Sequence, residues 1–399
     1  MTAAVWKGSV SLQLPGGDRL LLRRAQVSDL RRIQMLYAEV YGPNYPMAII
    51  SDAALLRAAV TSREYFWLVA DRQGRIMASL IYELDPGQRL AKAFGAVVSK
   101  EYRKQNLAVT MMEMIHRRLT GRGGPVDAVY ATTRTVTLAP QHLTENLGFA
   151  KLGIFPNAHK VFEHETHCLA AYFVPGALRR RRTPPELLEE LEPFYRLVQR
   201  QLKLGKAVFR RRADQAELRQ PAPPQPLLRF EEITAPEFIR RRFARTRNTG
   251  LFANAWVPFH RPNLLLLTPD QSTEVFLCHG KQDQYGVILG GRTRVAEAAL
   301  VLNSVAQRLA EMGVRYIEFI ADAYSPGLQE QALHARFLPS AYFPAYRKVG
   351  VRRWDYIVFS RSFEMLDFRN VHLTSDYRAF LKEYMKLWQS LYLDAAFRG

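Results

Sequence analysis

The spacing of apolar residues along this chain changes period several times, and each change predicts an element. Residues 20–24 read as a strand. Leu30, Ile33, Leu36, Tyr37 and Val40 then recur at helical spacing, with Ser28 in position to cap the helix. Gly42-Pro43-Asn44-Tyr45-Pro46 ends it, and residues 51–60 read as a second helix. Three strands follow at 65–70, 76–84 and 90–98. Asp71-Arg72-Gln73-Gly74 and Asp85-Pro86-Gly87-Gln88 join them, both with good turn chemistry. Residues 107–119 return to helical spacing, with Met111, Met114 and Ile115 on the apolar side, until Gly121-Arg122-Gly123-Gly124-Pro125 stops them. A buried strand at 126–132, a helix around 140–147 and strand material at 161–174 complete the series.

The pattern breaks at 176–228. Thr183-Pro184-Pro185-Glu186 predicts the start of a polar helix reaching about Leu204, and Pro221-Ala222-Pro223-Pro224-Gln225-Pro226 predicts a stiff extended linker. Beyond it the series repeats. At an offset of 188, Phe149 falls on Phe337, Phe155-Pro156 on Phe343-Pro344, Gln141 on Gln329 and Val126 on Val314. The strand at 126–132 overlays 314–320 and the helix at 107–119 overlays 295–311, with no gap over about fifty residues. Four segments are therefore expected. They are a first domain at 1–175, a helical Arg/Pro-rich linker at 176–228, a second domain at 229–365 and a C-terminal helix within 366–399.

Composition agrees with this plan. A length of 399 residues suits two domains, and 48% hydrophobic residues allow a core in each. No run of about 18 apolar residues occurs, so no membrane span is expected. Met1-Thr2-Ala3-Ala4-Val5-Trp6-Lys7 lacks the pattern of a secretory signal. Two cysteines, Cys168 and Cys278, are too few for a disulfide scaffold, and the expected location is cytoplasmic. The net charge of +19 changes the picture more. It points to an acidic partner (nucleic acid, an anionic membrane face, an acidic carrier protein or a polyphosphate cofactor) or to solvated arginine-rich surfaces. The runs Arg179-Arg180-Arg181-Arg182, Arg210-Arg211-Arg212 and Arg240-Arg241-Arg242 lack the interleaved aromatics of a single-strand binder.

The candidate chemistry starts at Val97-Val98-Ser99-Lys100-Glu101-Tyr102-Arg103-Lys104-Gln105-Asn106-Leu107-Ala108. A strand ends, a basic turn follows and a helix begins with unpaired amides aimed at whatever sits there, a ready site for an anion. The segment and the element order around it resemble the GNAT superfamily of N-acetyltransferases, whose phosphate loop reads Arg/Gln-x-x-Gly-x-Gly/Ala. Arg103, the apolar Leu107 and Ala108 match; Asn106 replaces the first Gly and tolerates positive φ better than most residues. The resemblance implies an α/β (α+β) fold of two tandem GNAT-like domains, each a mixed, mostly antiparallel sheet flanked by helices. It also implies acetyl-CoA or acyl-CoA as co-substrate. Arg103, Lys104, Gln105, Asn106, Leu107 and Ala108 would hold the pyrophosphate, and Val97 and Val98 would meet the pantetheine arm. In the second half the corresponding Gly291-Arg292-Thr293-Arg294-Val295-Ala296 lacks the leading Arg, so that domain is expected to be degenerate, although Gly290-Gly291 could form an anion nest.

Direct transfer to an amine needs a base, an oxyanion donor and an acid for the sulfur. Glu83 is the candidate base and the Val98 amide the candidate oxyanion donor. The tyrosine acid common in the superfamily is Thr144 here, which leaves Tyr130 or Tyr82, or an unaided thiolate; the usual Asn of that segment is Thr137. Residues 40–173 further resemble β-lysine N-acetyltransferases through Asn44-Tyr45-Pro46, Glu83-Leu84-Asp85, Glu101-Tyr102-Arg103, Arg134, Asn157 and Glu165-Thr166. That resemblance implies Glu83, Arg134, Asn157 and Glu165 as contacts for a small amino-acid-like or peptide amine, with the Arg134 fork suited to a carboxylate.

His159, His164 and His167 lie near Glu163 and Glu165 on mixed strand faces, so no metal is expected. Cys278-His279 point to opposite faces and do not make a nucleophile–base pair. Two further functions stay open at this point. One is a tandem transferase using aminoacyl-tRNA or acyl carrier protein; the other is a non-catalytic acyl-CoA sensor or interaction protein. A homodimer is compatible with each.

Overall fold

The computed structural model describes residues 8–42, 45, 47–160, 163–211, 226–246, 256–294 and 297–394. Asn44, Pro46, Arg212, the 221–225 part of the expected linker, Val295, Ala296 and the first seven residues lie outside the described residues. The chain divides into two compact units. One comprises residues 1–132, 142–149 and 171–177; the other comprises 133–141, 150–170 and 178–399.

In the first unit, strands β1 (Ser9–Gln13), β2 (Arg19–Arg24), β3 (Tyr65–Arg72), β4 (Arg75–Asp85), β5 (Leu90–Val98) and β6 (Ala128–Arg134) lie side by side in that order. All pairs are antiparallel except β5–β6. Helices α1 (Leu30–Tyr41), α2 (Ala48–Ser51) and α3 (Ala53–Thr61) cover one face, where Ile33, Leu36, Tyr37, Leu56 and Val60 pack on Trp67, Val69, Ile81 and Val97. Helix α4 (Leu107–Thr120) buries Leu107, Met111, Met112, Ile115, His116 and Leu119, so Met112 rather than Met114 completes its apolar side. The cap of α1 also differs from expectation. A helical turn, Val27–Asp29, precedes it, and Asp29 rather than Ser28 accepts from the Gln26 amide at 2.8 Å.

In the second unit, α5 (Ala139–Asn146) is shared with the first, and β7 (Ala150–Lys160) and β8 (His164–Phe173) are sheet neighbours. The strand signal at 161–174 therefore captured only the second of them. The expected polar helix at 183–204 is instead a strand, β9 (Glu186–Leu188), paired in parallel with β10 (Val208–Arg210), and then α6 (Glu192–Leu202). Tertiary bonds override the local helix signal: the Glu186 amide donates to Ala323 O at 2.8 Å and the Leu188 amide to Gln329 Oε1 at 3.1 Å. Helix α6 is amphipathic, burying Phe194, Tyr195 and Val198.

The second series then runs β11 (Glu231–Ile233), α7 (Pro236–Thr246), β12 (Leu264–Leu267), β13 (Thr273–Gly280), β14 (Tyr285–Thr293), α8 (Ala298–Glu311), β15 (Tyr316–Asp322), α9 (Pro326–His334), β16 (Leu338–Val349) and β17 (Arg352–Ser362). Its sheet order is β8-β7-β16-β17-β15-β14-β13-β12-β11, and β14–β15 is the parallel pair, as β5–β6 is in the first series. The same order of elements thus recurs in topology, and the sheets are mixed and mostly antiparallel as expected. The offset of 188 holds from β6 onward (316 − 128, 338 − 150, 352 − 164) but not before it. Helix α8 starts 191 residues after α4 (298 − 107) and β14 starts 195 after β5 (285 − 90). The gapless overlay of 107–119 on 295–311 is therefore corrected. The first series carries the longer glycine turn after its helix (121–127 against 312–315) and the longer loop before it (99–106 against 294–297).

One pair of equivalent residues ties the second unit together. Gln329 of α9 accepts from the Leu188 amide and donates to Glu186 O at 3.0 Å; Gln141 of α5 accepts from the Thr374 amide at 3.0 Å and donates to His372 O at 2.7 Å. Each glutamine clamps two backbone groups just ahead of a trailing helix: α6 in one case, α10 (Ser375–Trp388) in the other. No helix among the described residues is long and apolar enough to cross a membrane.

Candidate functional site

The site in the first unit begins with a fault in β5. Register runs Glu83↔Lys92 and Ile81↔Phe94, then shifts before Ser79↔Val97, with Gly95 at φ +61 inside the bulge. A Cβ at Gly95 would sit 2.8 Å from both Ile81 Cδ1 and Tyr37 Oη, and Tyr37 Oη donates to Gly95 O at 2.5 Å. The position therefore requires glycine on both conformational and steric grounds. On its other side β5 pairs with β6 only from Leu90↔Ala128 to Ala93↔Ala131. Residues beyond Ala93 leave that neighbour. The Ser99 amide donates to Met77 O at 2.8 Å, so strand alternation turns Val97's backbone groups toward β4 and Val98's away from it. Of the two expected contacts for an extended ligand, Val98 alone presents its amide outward.

The loop that follows is held from below. Tyr102 is buried, and its hydroxyl donates to Asp18 Oδ2 at 2.6 Å, while the Lys100 amide donates to Glu39 Oε1 at 3.2 Å. Above this anchor Arg103, Lys104 and Asn106 are exposed. Lys104 and Asn106 both take positive φ, +63 and +56, so Asn106 adopts the left-handed conformation that a glycine would occupy. Asn106 is the N-cap of α4 yet supplies no side-chain cap, and the first intrahelical bond runs from the Thr110 amide to Asn106 O at 3.0 Å. The amides of Leu107, Ala108 and Val109 precede that bond and point out of the helix end. This arrangement can take a diphosphate.

Next to the bulge, register places Tyr65, Glu83, Lys92 and Tyr130 in one row across β3, β4, β5 and β6. Tyr65 Oη donates to Glu83 Oε1 at 2.6 Å. Tyr65, Glu83 and Lys92 are half-buried and Tyr130 is buried. The row shares its face with the aromatic stack of Tyr37, Tyr41 and Tyr45, in which Tyr41 and Tyr45 lie 4.4 Å apart. Glu83 and Tyr130 thus fall in one row. Tyr82 does not: it alternates to the opposite face, where its hydroxyl is fully buried without a hydrogen-bond partner. Burial pushes that hydroxyl well above the usual tyrosine range. Tyr65 and Lys92 were missed; a register shift at Ala70/Asp71 means that counting back from the 71–74 turn would set Tyr65 against Tyr82 and not Glu83.

Arg134, Asn157 and Glu165 belong to the second unit. Arg134 and Glu165 form a bidentate pair, Nε to Oε2 at 2.6 Å and Nη2 to Oε1 at 2.5 Å, so the Arg134 fork is already engaged by a carboxylate. Burial alone would raise the Glu165 carboxyl, but His167 and Arg134 outweigh it and hold it at about 2. Asn157, at φ +57, donates to Met365 O at 2.9 Å and keeps its own buried carbonyl without a partner. His167 is buried with its ring 5.0 Å from that of His159, and burial lowers it to about 4. No group of three or more His, Cys, Asp or Glu suited to a metal occurs among the described residues.

In the second series the glycines that the offset of 188 had set beside the loop lie inside a strand. Gly290 and Gly291 lie within β14, opposite Phe276 and Val275, and form no loop nest. A Cβ on Gly291 would meet Glu274 O at 2.4 Å. The buried Glu274 carboxylate pairs with Arg242 and with Arg292 at 2.7 Å. Several arginines of the basic runs are likewise engaged. Arg181 is buried on Asp355, Arg182 lies 4.3 and 4.5 Å from the Tyr324 and Trp354 rings, Arg210 and Arg211 pair with Glu186 and Glu189, and Arg240 pairs with Glu237.

No protein-family model matches the chain, and no curated protein matches it. Solved structures do. The ribosomal-protein-S18-alanine N-acetyltransferase from Escherichia coli aligns at 19% identity over 38% of this chain and 92% of its own, with a TM-score of 0.33. An acetyltransferase of the GNAT family from Streptococcus pneumoniae aligns at 18% identity over 39% of this chain and 99% of its own, with a TM-score of 0.33. RimJ from Mycobacterium smegmatis, in complex with CoA-disulfide, aligns at 16% identity over 41% of this chain and 86% of its own, with a TM-score of 0.34.

Proposed function

We propose that this chain is an acyl-CoA-dependent N-acyltransferase that moves an acyl group, acetyl in the simplest case, to a primary amine of a small amino-acid-like or peptide acceptor. The observation that carries this reading is the uncapped start of α4, entered through left-handed Asn106 and flanked by exposed Arg103 and Lys104, directly after a strand end that has left its neighbour. The amides of Leu107 and Ala108 suit a pyrophosphate, and the outward amide of Val98 suits the oxyanion that forms when the amine adds to a thioester carbonyl. Glu83 takes the proton that the amine must lose as the new C–N bond forms and the C–S bond breaks. Tyr130, in the same row, is the candidate proton donor to the departing sulfur. The second series, with the buried Glu274 carboxylate held by Arg242 and Arg292, serves as a degenerate domain.

Arg181, buried on Asp355, and Arg182, against the Tyr324 and Trp354 rings, are already committed within the fold, which favours a compact polyphosphate ligand over tRNA phosphates. Calorimetric titration with acetyl-CoA, acyl carrier protein and tRNA at two salt concentrations tests the reading. Saturable acetyl-CoA binding is expected; steeply salt-dependent tRNA binding with none to acetyl-CoA would replace this function by the tRNA-dependent one.

A further inference from the structure

The row that contains Glu83 holds two opposite charges that have not combined. Glu83 and Lys92 are direct cross-strand partners, close enough for an ion pair. Yet the Glu83 carboxylate accepts the Tyr65 hydroxyl, while the Lys92 ammonium leans over the Phe94 ring, 5.7 Å from its centroid. Among the described residues no carboxylate lies within the 4.0 Å of an ion pair to Lys92. A half-buried strip on an otherwise apolar face thus presents a carboxylate and an ammonium one strand apart, beside the aromatic stack of Tyr41 and Tyr45. Such a strip complements a molecule with the reverse order of charges at the same spacing. The residue that sequence resemblance offered for an acidic group, Arg134, is already saturated by Glu165.

We propose that Lys92 is a specificity residue, and that the acceptor is an amine bearing an anionic group about four bonds from its nitrogen, a distance set by the roughly 4.8 Å between neighbouring strands. Glu83 faces the nitrogen and Lys92 the anion. This inference rests on the transferase reading above. The anion is a carboxylate or a phosphate, which share the chemistry Lys92 recognises.

Two matched pairs of acceptors test it with acetyl-CoA as donor: 4-aminobutyrate against its amide, and O-phosphoethanolamine against ethanolamine. The charged member of at least one pair is expected to have the higher kcat/KM, and which pair discriminates identifies the anion. Lys92→Met should raise KM for that charged acceptor by about tenfold or more, with kcat, acetyl-CoA affinity and the KM of the neutral analogue unchanged. Lys92→Arg should restore much of the preference. If charged and neutral acceptors are used alike, if no acceptor is acetylated, or if Lys92→Met changes kcat and its pH profile instead of KM, Lys92 is not the anion anchor, although the transferase reading stands wherever acetyl-CoA binds. Loss of acetyl-CoA binding in Lys92→Met would assign Lys92 to the cofactor and overturn the inference. Absence of acetyl-CoA binding to the unaltered protein would remove the transferase reading and this inference with it.

Discussion

Glu83 has the Tyr65 hydroxyl on its carboxylate at 2.6 Å and Lys92 and Tyr130 along the same row. Glu83→Gln keeps the shape and removes the proton acceptor. Turnover should fall by about 10²–10⁴-fold with acetyl-CoA affinity unchanged, as read by steady-state kinetics and calorimetry. Full activity would dismiss Glu83 as the base. His116 carries a second prediction. It is buried against Phe149 and Tyr172 with both ring nitrogens unpartnered, and burial lowers its pKa from 6.5 to about 4. Below pH 6.5 the unfolded chain takes up a proton that the folded one refuses. Stability is therefore complete above that value and is lost as pH falls toward 4, by about 2 kcal/mol from this residue at pH 5. His116→Phe should flatten that part of a denaturation-against-pH curve. At this scale the place of Glu83 near a strand end was legible. Tyr82 was misjudged as its companion because adjacent strand residues face opposite ways. Lys92 was hidden because its partner emerges only when the strands are counted in register.

At the level of elements, the turn from β5 into α4 was legible almost residue by residue, including the left-handed geometry that asparagine tolerates at position 106. Asn106→Val should lower stability by about 1–2 kcal/mol in chemical denaturation, because a β-branched side chain resists that conformation, whereas Asn106→Gly should be nearly neutral. Arg103→Glu, on the exposed side of the same turn, should weaken acetyl-CoA binding severalfold without altering the melting temperature. Unchanged binding would place the diphosphate elsewhere. Helix α6 lies inside the expected 183–204 helix, but the strand ahead of it was not legible, because the bonds that hold Glu186 and Leu188 extended come from Ala323 and Gln329, more than 130 residues along the chain. The β5 bulge also escaped, since a lone glycine in an apolar run does not announce which neighbour its Cβ would strike.

For the whole molecule, the duplication was legible from a handful of matches, Gln141 and Gln329 among them, and the structure gives that pair a purpose: each clamps the backbone ahead of a trailing helix. Gln329→Ala should cost about 1–3 kcal/mol by stranding buried backbone groups, seen as an earlier urea midpoint. The +19 charge was the least decodable feature, because composition cannot say which arginines are already committed. Arg181 and Asp355, both buried, are the strongest such case. The shorter connection ahead of α8, 294–297 against 99–106 ahead of α4, has one more consequence. A point substitution cannot supply length, so no single exchange would turn that connection into a copy of residues 99–106. Saturation with nucleotide should accordingly end at a stoichiometry of one equivalent per polypeptide.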